Sequence, residues 1–252
     1  MLSDQEFLRY GASTALENVG EQGQLKLKHA RITIIGLGGL GCAASQYLAA
    51  TGIGELALVD NDSIQLSNLQ RQVLYTTGQL KTPKATNAAA SLSALNHEIA
   101  IKPRIQRADA KNIDELIAGS DVVLDCTDNL ASRWLINQAC YRAETAFVMG
   151  AAEGWQGQVM SLHPNAPHGC YACLYPPGTE ERPACERTGV ISPLVGIIGA
   201  TQALRAIRII LGEYIDWGVL HTFDGNMMQW SEYSLPVSSN CSHCQGEICK
   251  SQ

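Results

Sequence analysis

Aromatic residues are scarce in this chain of 252 residues: they make up 6% of it, with only three phenylalanines. A core with so few rings has to be aliphatic, and 46% hydrophobic residues supply the material for it. Charge is also thin, at 17% of positions. The 18 basic and 24 acidic residues are interspersed, giving a net charge of -6 and no basic stripe, so no nucleic-acid partner is expected. Uninterrupted apolar runs are missing too. None approaches the ~20 residues of a membrane span, and the longest, residues 190–211, is broken by Ser192, Pro193, Gln202, Arg205 and Arg208. The opening stretch, Met1-Leu2-Ser3-Asp4-Gln5-Glu6, lacks a basic segment ahead of an apolar one. No signal peptide and no membrane association are expected, and the reading is of a cytoplasmic protein.

Cysteine, by contrast, is plentiful, with nine residues. Cys42, Cys126 and Cys140 sit inside apolar segments, where a thiol behaves as a small hydrophobe. The other six fall in the last third of the chain. In a reducing compartment such clustering points to a metal or to chemistry rather than to disulfides.

The order of elements predicts the fold class. Ser3 and Glu6 form a candidate capping box for a short first helix. Residues 31–35 read as a strand ending at glycine, 40–50 as a helix and 55–60 as a second strand. Pro83 opens an alanine-rich helix running to Leu95. Residues 120–125 read as a strand, 131–141 as a helix and 146–150 as a strand. Strands alternating with helices predict an α/β fold with a doubly wound, mostly parallel sheet. Beyond Gly150 the texture changes to strands at 158–162, 219–223 and 228–235, with a helix from Ser192 or Pro193 to Leu211, predicting an antiparallel C-terminal extension. There is no internal repeat. One continuous domain over 1–252 is expected, with a nucleotide-binding part at 1–150 and an elaborated part at 151–252.

Gly36-Leu37-Gly38-Gly39-Leu40-Gly41 follows the first strand and opens a helix. Glycines there allow a tight turn and let backbone N–H groups approach a phosphate at the helix N-terminus. A close-packed βα turn with no ligand is the plainer alternative. Asp60 ends the next strand, about 20 residues past the last glycine, where a carboxylate can hold ribose hydroxyls. Ser67-Asn68-Leu69-Gln70-Arg71-Gln72 and Lys84 follow, and Asp125-Cys126-Thr127-Asp128-Asn129 ends a later strand. In a doubly wound sheet these strand ends open onto one crevice. Glycine amides, Arg71, Lys84 and carboxylates together predict a triphosphate site, with Asp128 holding Mg²⁺. Taken singly, Arg71 or Lys84 reads as a surface charge and Asp128 as a helix cap.

Cys170-Tyr171-Ala172-Cys173 and Cys241-Ser242-His243-Cys244 are two C-x-x-C knuckles. Four thiolates in this arrangement suit a closed tetrahedral Zn²⁺ that staples the end of the chain to its body, with a structural rather than catalytic role. His168 and His243 flank the cysteines and read as surface residues. Cys249 is left over. Cys185 stands apart in a polar stretch near Arg182 and Arg187, where a lowered pKa favours the reactive thiolate; an unreactive loop cysteine is the plain reading.

Over nearly its whole length the sequence resembles the ubiquitin-activating-like (E1-like) adenylyltransferases of the ThiF/MoeB/HesA family, on the glycine loop, Asp60, the 67–72 segment, Lys84, the 125–129 segment and the cysteine knuckles. The resemblance implies ATP-dependent adenylation of the C-terminal glycine carboxylate of a ubiquitin-like sulfur-carrier protein ending in Gly-Gly, with a sulfur-donor protein downstream. It implies glycine-loop contacts at Gly39, ribose at Asp60, phosphates at Asn68, Arg71 and Lys84, and Mg²⁺ at Asp128, with Ser67 and Asn129 also among the nucleotide-binding residues. It also implies a homodimer, and a covalent carrier intermediate at Cys185. The C-terminal third looks closest to the ThiF branch, which serves ThiS-like carriers in thiamine thiazole synthesis. Gly41-Cys42-Ala43-Ala44-Ser45-Gln46-Tyr47-Leu48 looks as much like the MoeB branch, which serves MoaD-like carriers in molybdopterin synthesis. One departure stands out. The family places an arginine that reaches the neighbouring subunit's ATP where this chain has Ala12. A catalytically weak, carrier-binding homologue is therefore one alternative, and a nicotinamide-dependent oxidoreductase, read from the glycine loop alone, is another.

Overall fold

The structure, a computed structural model, describes residues 1–179 and 189–244. Cys185 and Cys249 lie outside these residues.

The first helix, α1 (Asp4–Arg9), carries the expected capping box: the Ser3 hydroxyl accepts the Glu6 N–H, and Glu6 reaches back to the Ser3 amide. The run after it, Gly11-Ala12-Ser13-Thr14, is poor helix material, yet α2 (Gly11–Thr14) forms, followed by α3 (Gly20–His29). Tyr10 explains this. Its ring is buried over Gly52, its hydroxyl accepts Asn96 Nδ2–H at 2.9 Å, and its carbonyl accepts the amides of Ser13 and Thr14. An anchored pivot residue outweighs the weak helix propensity of the sequence that follows it.

Among the described residues eight strands form one sheet in the order β3-β2-β1-β4-β5-β6-β7-β8. The parallel part comprises β1 (Arg31–Ile35), β2 (Glu55–Val59), β3 (Ala100–Arg104), β4 (Val122–Asp125) and β5 (Ala146–Glu153). The strands β6 (Gln156–Leu162), β7 (Val219–Asp224) and β8 (Gln229–Ser234) continue it antiparallel, as the sequence predicts. β3 escapes sequence reading because Ala100-Ile101-Lys102-Pro103-Arg104 has no apolar alternation. It is the edge strand, where a proline costs no ladder hydrogen bond that a neighbour needs.

The chain leaves β1 toward β2 and β3 on one side, then returns to place β4 and β5 on the other. The switch point therefore lies between β1 and β4, where a doubly wound sheet opens its binding crevice. The helices α4 (Gly39–Thr51), α5 (Lys84–Leu95), α6 (Ile113–Ile117) and α7 (Leu130–Arg142) connect these strands, and α8 (Tyr171–Leu174) is one short turn. Core side chains lie on both faces of the sheet. Ile32, Ile34, Leu48, Leu56 and Leu58 belong to one apolar cluster, and Ile35, Val59, Val123, Phe147 and Met149 to the other.

The long helix α9 (Ser192–Leu211) meets the length and composition of a membrane span, with a mean hydropathy of 1.6. Its environment is the protein core: it packs against α4, β5 and β6, burying Leu194, Val195 and Ile198. Gln202 and Arg205 are buried on the same helix with protein partners, so the polar residues that interrupt the apolar run are internal ties.

Candidate functional site

Three loops meet at the carboxyl ends of β2, β1 and β4. The glycine loop follows β1, and its four glycines have different reasons to be glycine. Gly36 has φ +94°, and a Cβ on it would lie 2.7 Å from the Cys126 carbonyl oxygen. A Cβ on Gly41 would lie 2.0 Å from the Gly36 oxygen, and one on Gly39 would lie 2.7 Å from Val195 of α9. These three are required by close packing, as the plainer reading of the motif has it. Gly38 is different: its Cβ would meet nothing nearer than Gln72 Nε2, at 3.8 Å. Gly38 is also the N-cap of α4, and no side chain caps that helix. Uncapped amides at a helix N-terminus beside open space form a cradle for an anion.

Asp60 fixes this loop. One carboxylate oxygen accepts the Leu37 N–H at 2.7 Å and the other accepts the Asp62 N–H at 2.7 Å. Burial pushes its pKa above the ordinary carboxylate range, and the loop amide and the Lys84 ammonium offset part of that. Lys84 opens α5 and is only 5% exposed. Its ammonium donates to the exposed Asp62 carboxylate at 2.9 Å. Asp62 was not singled out from sequence; its signal was its position two residues past Asp60. Tyr75, also missed, donates its hydroxyl to the Leu37 carbonyl at 3.0 Å.

The segment carrying Ser67 and Asn68 is a 3-10 turn in which Gln65 and Asn68 cap each other. Arg71 is half-buried and donates to the Ser67 carbonyl at 3.3 Å. Gln72, the next residue, is buried near Gly38, and its amide oxygen has no hydrogen-bond partner. A nucleotide hydroxyl or amine suits such an acceptor.

The third loop follows β4. Asp125 is fully buried and accepts from the Thr127 amide and hydroxyl at 2.9 and 2.6 Å. Asp128, by contrast, is exposed and accepts from Asn129 Nδ2 at 3.4 Å, while Asn129 Oδ1 caps α7 by accepting the Ser132 N–H. A solvent-facing carboxylate beside the glycine loop fits a role on hydrated Mg²⁺, which keeps several waters when bound. The structure thus brings the glycine loop, Asp60, Lys84, Gln72 and the 125–129 loop together. Two residues without a sequence-assigned role support this loop from behind. Gln202 Nε2 donates to the carbonyls of Asp125 and Val148 at 2.8 and 3.1 Å. Arg133 Nη2 donates to the Thr127 carbonyl at 2.9 Å. A glutamine inside the apolar run of α9 was the available signal for the first. Nothing in the sequence marked the second.

The buried thiols near this site are not nucleophiles. Burial pushes Cys42 up to about 12 and Cys126 well above its ordinary value. A cavity of about 500 Å³ lies at the opposite ends of the parallel strands beside Ser120, Asp121, Glu144 and Trp217 and holds none of the predicted residues.

Cys170, Cys173, Cys241 and Cys244 converge, with all four sulfurs within 4.8 Å of one another. Their Sγ atoms approach at 3.6 Å for Cys170–Cys241 and 3.5 Å for Cys173–Cys244. Four sulfurs about 2.3 Å from a tetrahedral Zn²⁺ stand ~3.8 Å apart, so the donor set fits that ion. The cluster docks on α7 through Asn137, whose amide oxygen accepts the Tyr171 N–H at 3.0 Å and whose nitrogen lies 3.4 Å from His243 Nδ1. His168 and His243 are not the surface residues the sequence suggests. Both are partly buried, and His168 Nε2 accepts the His163 N–H at 3.1 Å. Burial lowers the pKa of both rings.

Comparison with known proteins agrees with this geometry. Residues 10–245 match the ThiF family. The chain is 41% identical over 245 residues to the sulfur carrier protein ThiS adenylyltransferase of Escherichia coli, covering 97% of this chain and 98% of that protein. It is 40% identical to the molybdopterin-synthase adenylyltransferase of Salmonella typhimurium, covering 96% of this chain and 98% of that one. It is 40% identical to the SAMP-activating enzyme E1 of Haloferax volcanii, covering 94% and 88%. Among solved structures, E. coli MccB in complex with MccA-N7isoASN shares the fold, with a TM-score of 0.79 at 24% identity over 88% of this chain and 69% of that chain. The chain belongs to the ThiF family.

Proposed function

We propose that this protein is an adenylyltransferase that activates the C-terminal glycine carboxylate of a ubiquitin-like sulfur-carrier protein, with a ThiS-like carrier as its substrate. The observation that carries the reading is the nearly buried Lys84 ammonium, held by Asp62 alongside the uncapped N-terminus of α4. A buried cation and uncapped helix amides at one crevice suit the phosphates of ATP.

In this reading Gly38 and the first turn of α4 take phosphate oxygens, Arg71 and Lys84 neutralise them, and Asp60 and Gln72 hold ribose or base. Ser67, Asn68 and Asn129 border the same site. Asp128 faces the Mg²⁺ that arrives with ATP. The carrier carboxylate attacks the α-phosphorus, pyrophosphate leaves, and an acyl adenylate forms. The nucleophile is already ionised, so no general base is needed; positioning and charge stabilisation do the catalysis. Zn²⁺ on Cys170, Cys173, Cys241 and Cys244 supplies structure alone. A homodimer, a downstream sulfur-donor protein and displacement of AMP from the acyl adenylate by Cys185 complete the reading. So does the treatment of residues 1–252 as one adenylating domain.

ATP–pyrophosphate exchange with purified ThiS-like and MoaD-like carriers ending in Gly-Gly tests it. Exchange stimulated by the ThiS-like carrier is expected. Stimulation by the MoaD-like carrier alone transfers the reading to the molybdopterin branch, whose E. coli adenylyltransferase is also 41% identical to this chain. ATP binding without exchange on either carrier leaves a carrier-binding homologue.

A further inference from the structure

The Asp125–Arg133 pair is the most deeply buried ion pair among the described residues, with the Asp125 side chain at 0% exposure and that of Arg133 at 13%. Such a pair is a poor way to gain stability, because taking both charges out of water costs about as much as their attraction returns. Its geometry is also incomplete as a salt bridge: Asp125 Oδ2 and Arg133 Nε stand 4.0 Å apart, and neither has a hydrogen-bond partner. What the guanidinium does hold is backbone. Nη2 donates to the Thr127 carbonyl at 2.9 Å and approaches the Gly150 carbonyl at 3.5 Å, so one side chain spans the loop after β4 and the middle of β5. Asp125 holds the same loop from within through the amide and hydroxyl of Thr127, and Gln202 pins the Asp125 carbonyl from α9. Arg133 also lies beside the buried Tyr171 hydroxyl, one residue along the chain from Cys170.

Within the loop these ties stop at residues 125 and 127. The next side chain, Asp128, is the exposed one. A short loop clamped at 125 and 127 leaves residue 128 few directions in which to point.

We propose that Arg133 is a positioning residue: by clamping residues 125–127 from behind, it fixes the direction in which the Asp128 carboxylate meets the metal of MgATP. The proposal rests on the reading of Asp128 as the metal-side carboxylate, and the test separates the two.

ATP affinity is measured by titration calorimetry with excess Mg²⁺ and again in EDTA, for the wild type, Asp128→Ala, Arg133→Met, Arg133→Lys, Thr127→Val and the Asp128→Ala/Arg133→Met double variant. The wild type is expected to gain affinity from Mg²⁺, and Asp128→Ala to lose that gain. Arg133→Met and Thr127→Val are expected to lose on the order of tenfold of it, the size carried by a hydrogen bond to a charged group, with affinity in EDTA unchanged. Arg133→Lys recovers part of the loss. The double variant is expected to be no worse than Asp128→Ala, because both act through one carboxylate. If Arg133→Met does not fold, Arg133→Lys carries the test, since it keeps a buried cation but loses the fork that reaches the Thr127 carbonyl. A full Mg²⁺ gain in Arg133→Met, or in Arg133→Lys where the first does not fold, alongside its loss in Asp128→Ala, overturns the proposal and leaves Asp128 in place. A full gain in Asp128→Ala overturns both.

Discussion

The Leu37 backbone amide donates to the Asp60 carboxylate at 2.7 Å, so the residue assigned to ribose is also the anchor of the glycine loop. A carboxylate has about four acceptor positions, and the amides of Leu37 and Asp62 take two of them. Room for a ribose hydroxyl remains, but the two roles are joined. Asp60→Ala is expected to weaken ATP binding and also to lower stability by about 1–3 kcal/mol, the cost of leaving a buried amide unpaired. Urea unfolding beside ATP titration checks this. Lost affinity at undiminished stability would show that the loop holds its shape without Asp60.

The glycine loop offers a sharper separation of packing from binding. Gly38→Ala adds a methyl group to open space, whereas Gly41→Ala drives one to within 2.0 Å of a carbonyl oxygen. The first variant is expected to unfold at the wild-type urea midpoint and to bind ATP at least tenfold more weakly, an effect of about 1.4 kcal/mol. The second is expected to be hard to recover folded. Wild-type ATP affinity in Gly38→Ala would remove that glycine from the phosphate cradle.

Far from the crevice, Asp216 joins α9 to β7. Burial works against its charge, but Arg205, at 2.9 and 3.2 Å, and His221 outweigh it and hold the pKa below the ordinary carboxylate value. A depressed folded-state pKa contributes stability above the unfolded value, near 3.9, and that contribution fades as pH falls through the folded value. Asp216→Asn is expected to cost about 2 kcal/mol at pH 7, below the 3–5 kcal/mol of a fully buried pair, because Asp216 keeps a quarter of its side-chain surface. The gap between wild type and variant should close below pH 4. Urea midpoints measured between pH 3 and 7 decide it, and a gap of constant size would exclude this ionisation as its source.

Sequence reading succeeded where local chemistry and tertiary role coincide. The β-branched run 31–35, the glycine loop and the knuckle spacing each state their own structure, and the fold gathers the four knuckle cysteines into one cluster. It failed where a residue's role is set by what packs behind it. Arg133 sits in a helix of weakly amphipathic sequence, and only the fold reveals that it is buried against Asp125 and Thr127. The β3 strand carries a proline and two cations because it lies at the sheet edge. Tyr10 keeps α2 helical through contacts with Gly52 and Asn96, distant in sequence.

The cysteine cluster predicts a metal content. Protein purified without added metal should carry one Zn²⁺ per chain by elemental analysis, and Cys173→Ser should lower both zinc content and thermal stability. The structure adds that the cluster sits against α7, which also bears Arg133. Chelation is therefore expected to destabilise the fold before it changes ATP affinity in protein that remains folded. Folded protein with no zinc would remove the metal from the account.

Ala12 gives the last prediction. The residue is exposed on α2, one turn that Tyr10 anchors to the body of the protein. A long side chain at position 12 meets no packing constraint, so Ala12→Arg should leave stability within about 0.5 kcal/mol of the wild type. In the family an arginine at this place reaches the ATP of a neighbouring subunit, and a guanidinium on transferring phosphate contributes 10³–10⁵ in rate in some systems, roughly. The substitution is expected to raise carrier-dependent pyrophosphate exchange by at least about tenfold, a conservative fraction of that range. Mixing separates action across an interface from action within one chain. Ala12→Arg/Lys84→Met has a defective ATP site but a competent arginine. Added to wild-type protein, it should stimulate exchange through hybrid dimers in which its arginine serves the intact site. Stimulation only when both features share a chain would place residue 12 over its own subunit's nucleotide. No gain in either arrangement, in protein shown to be dimeric by sedimentation, would mean that another residue already supplies the charge.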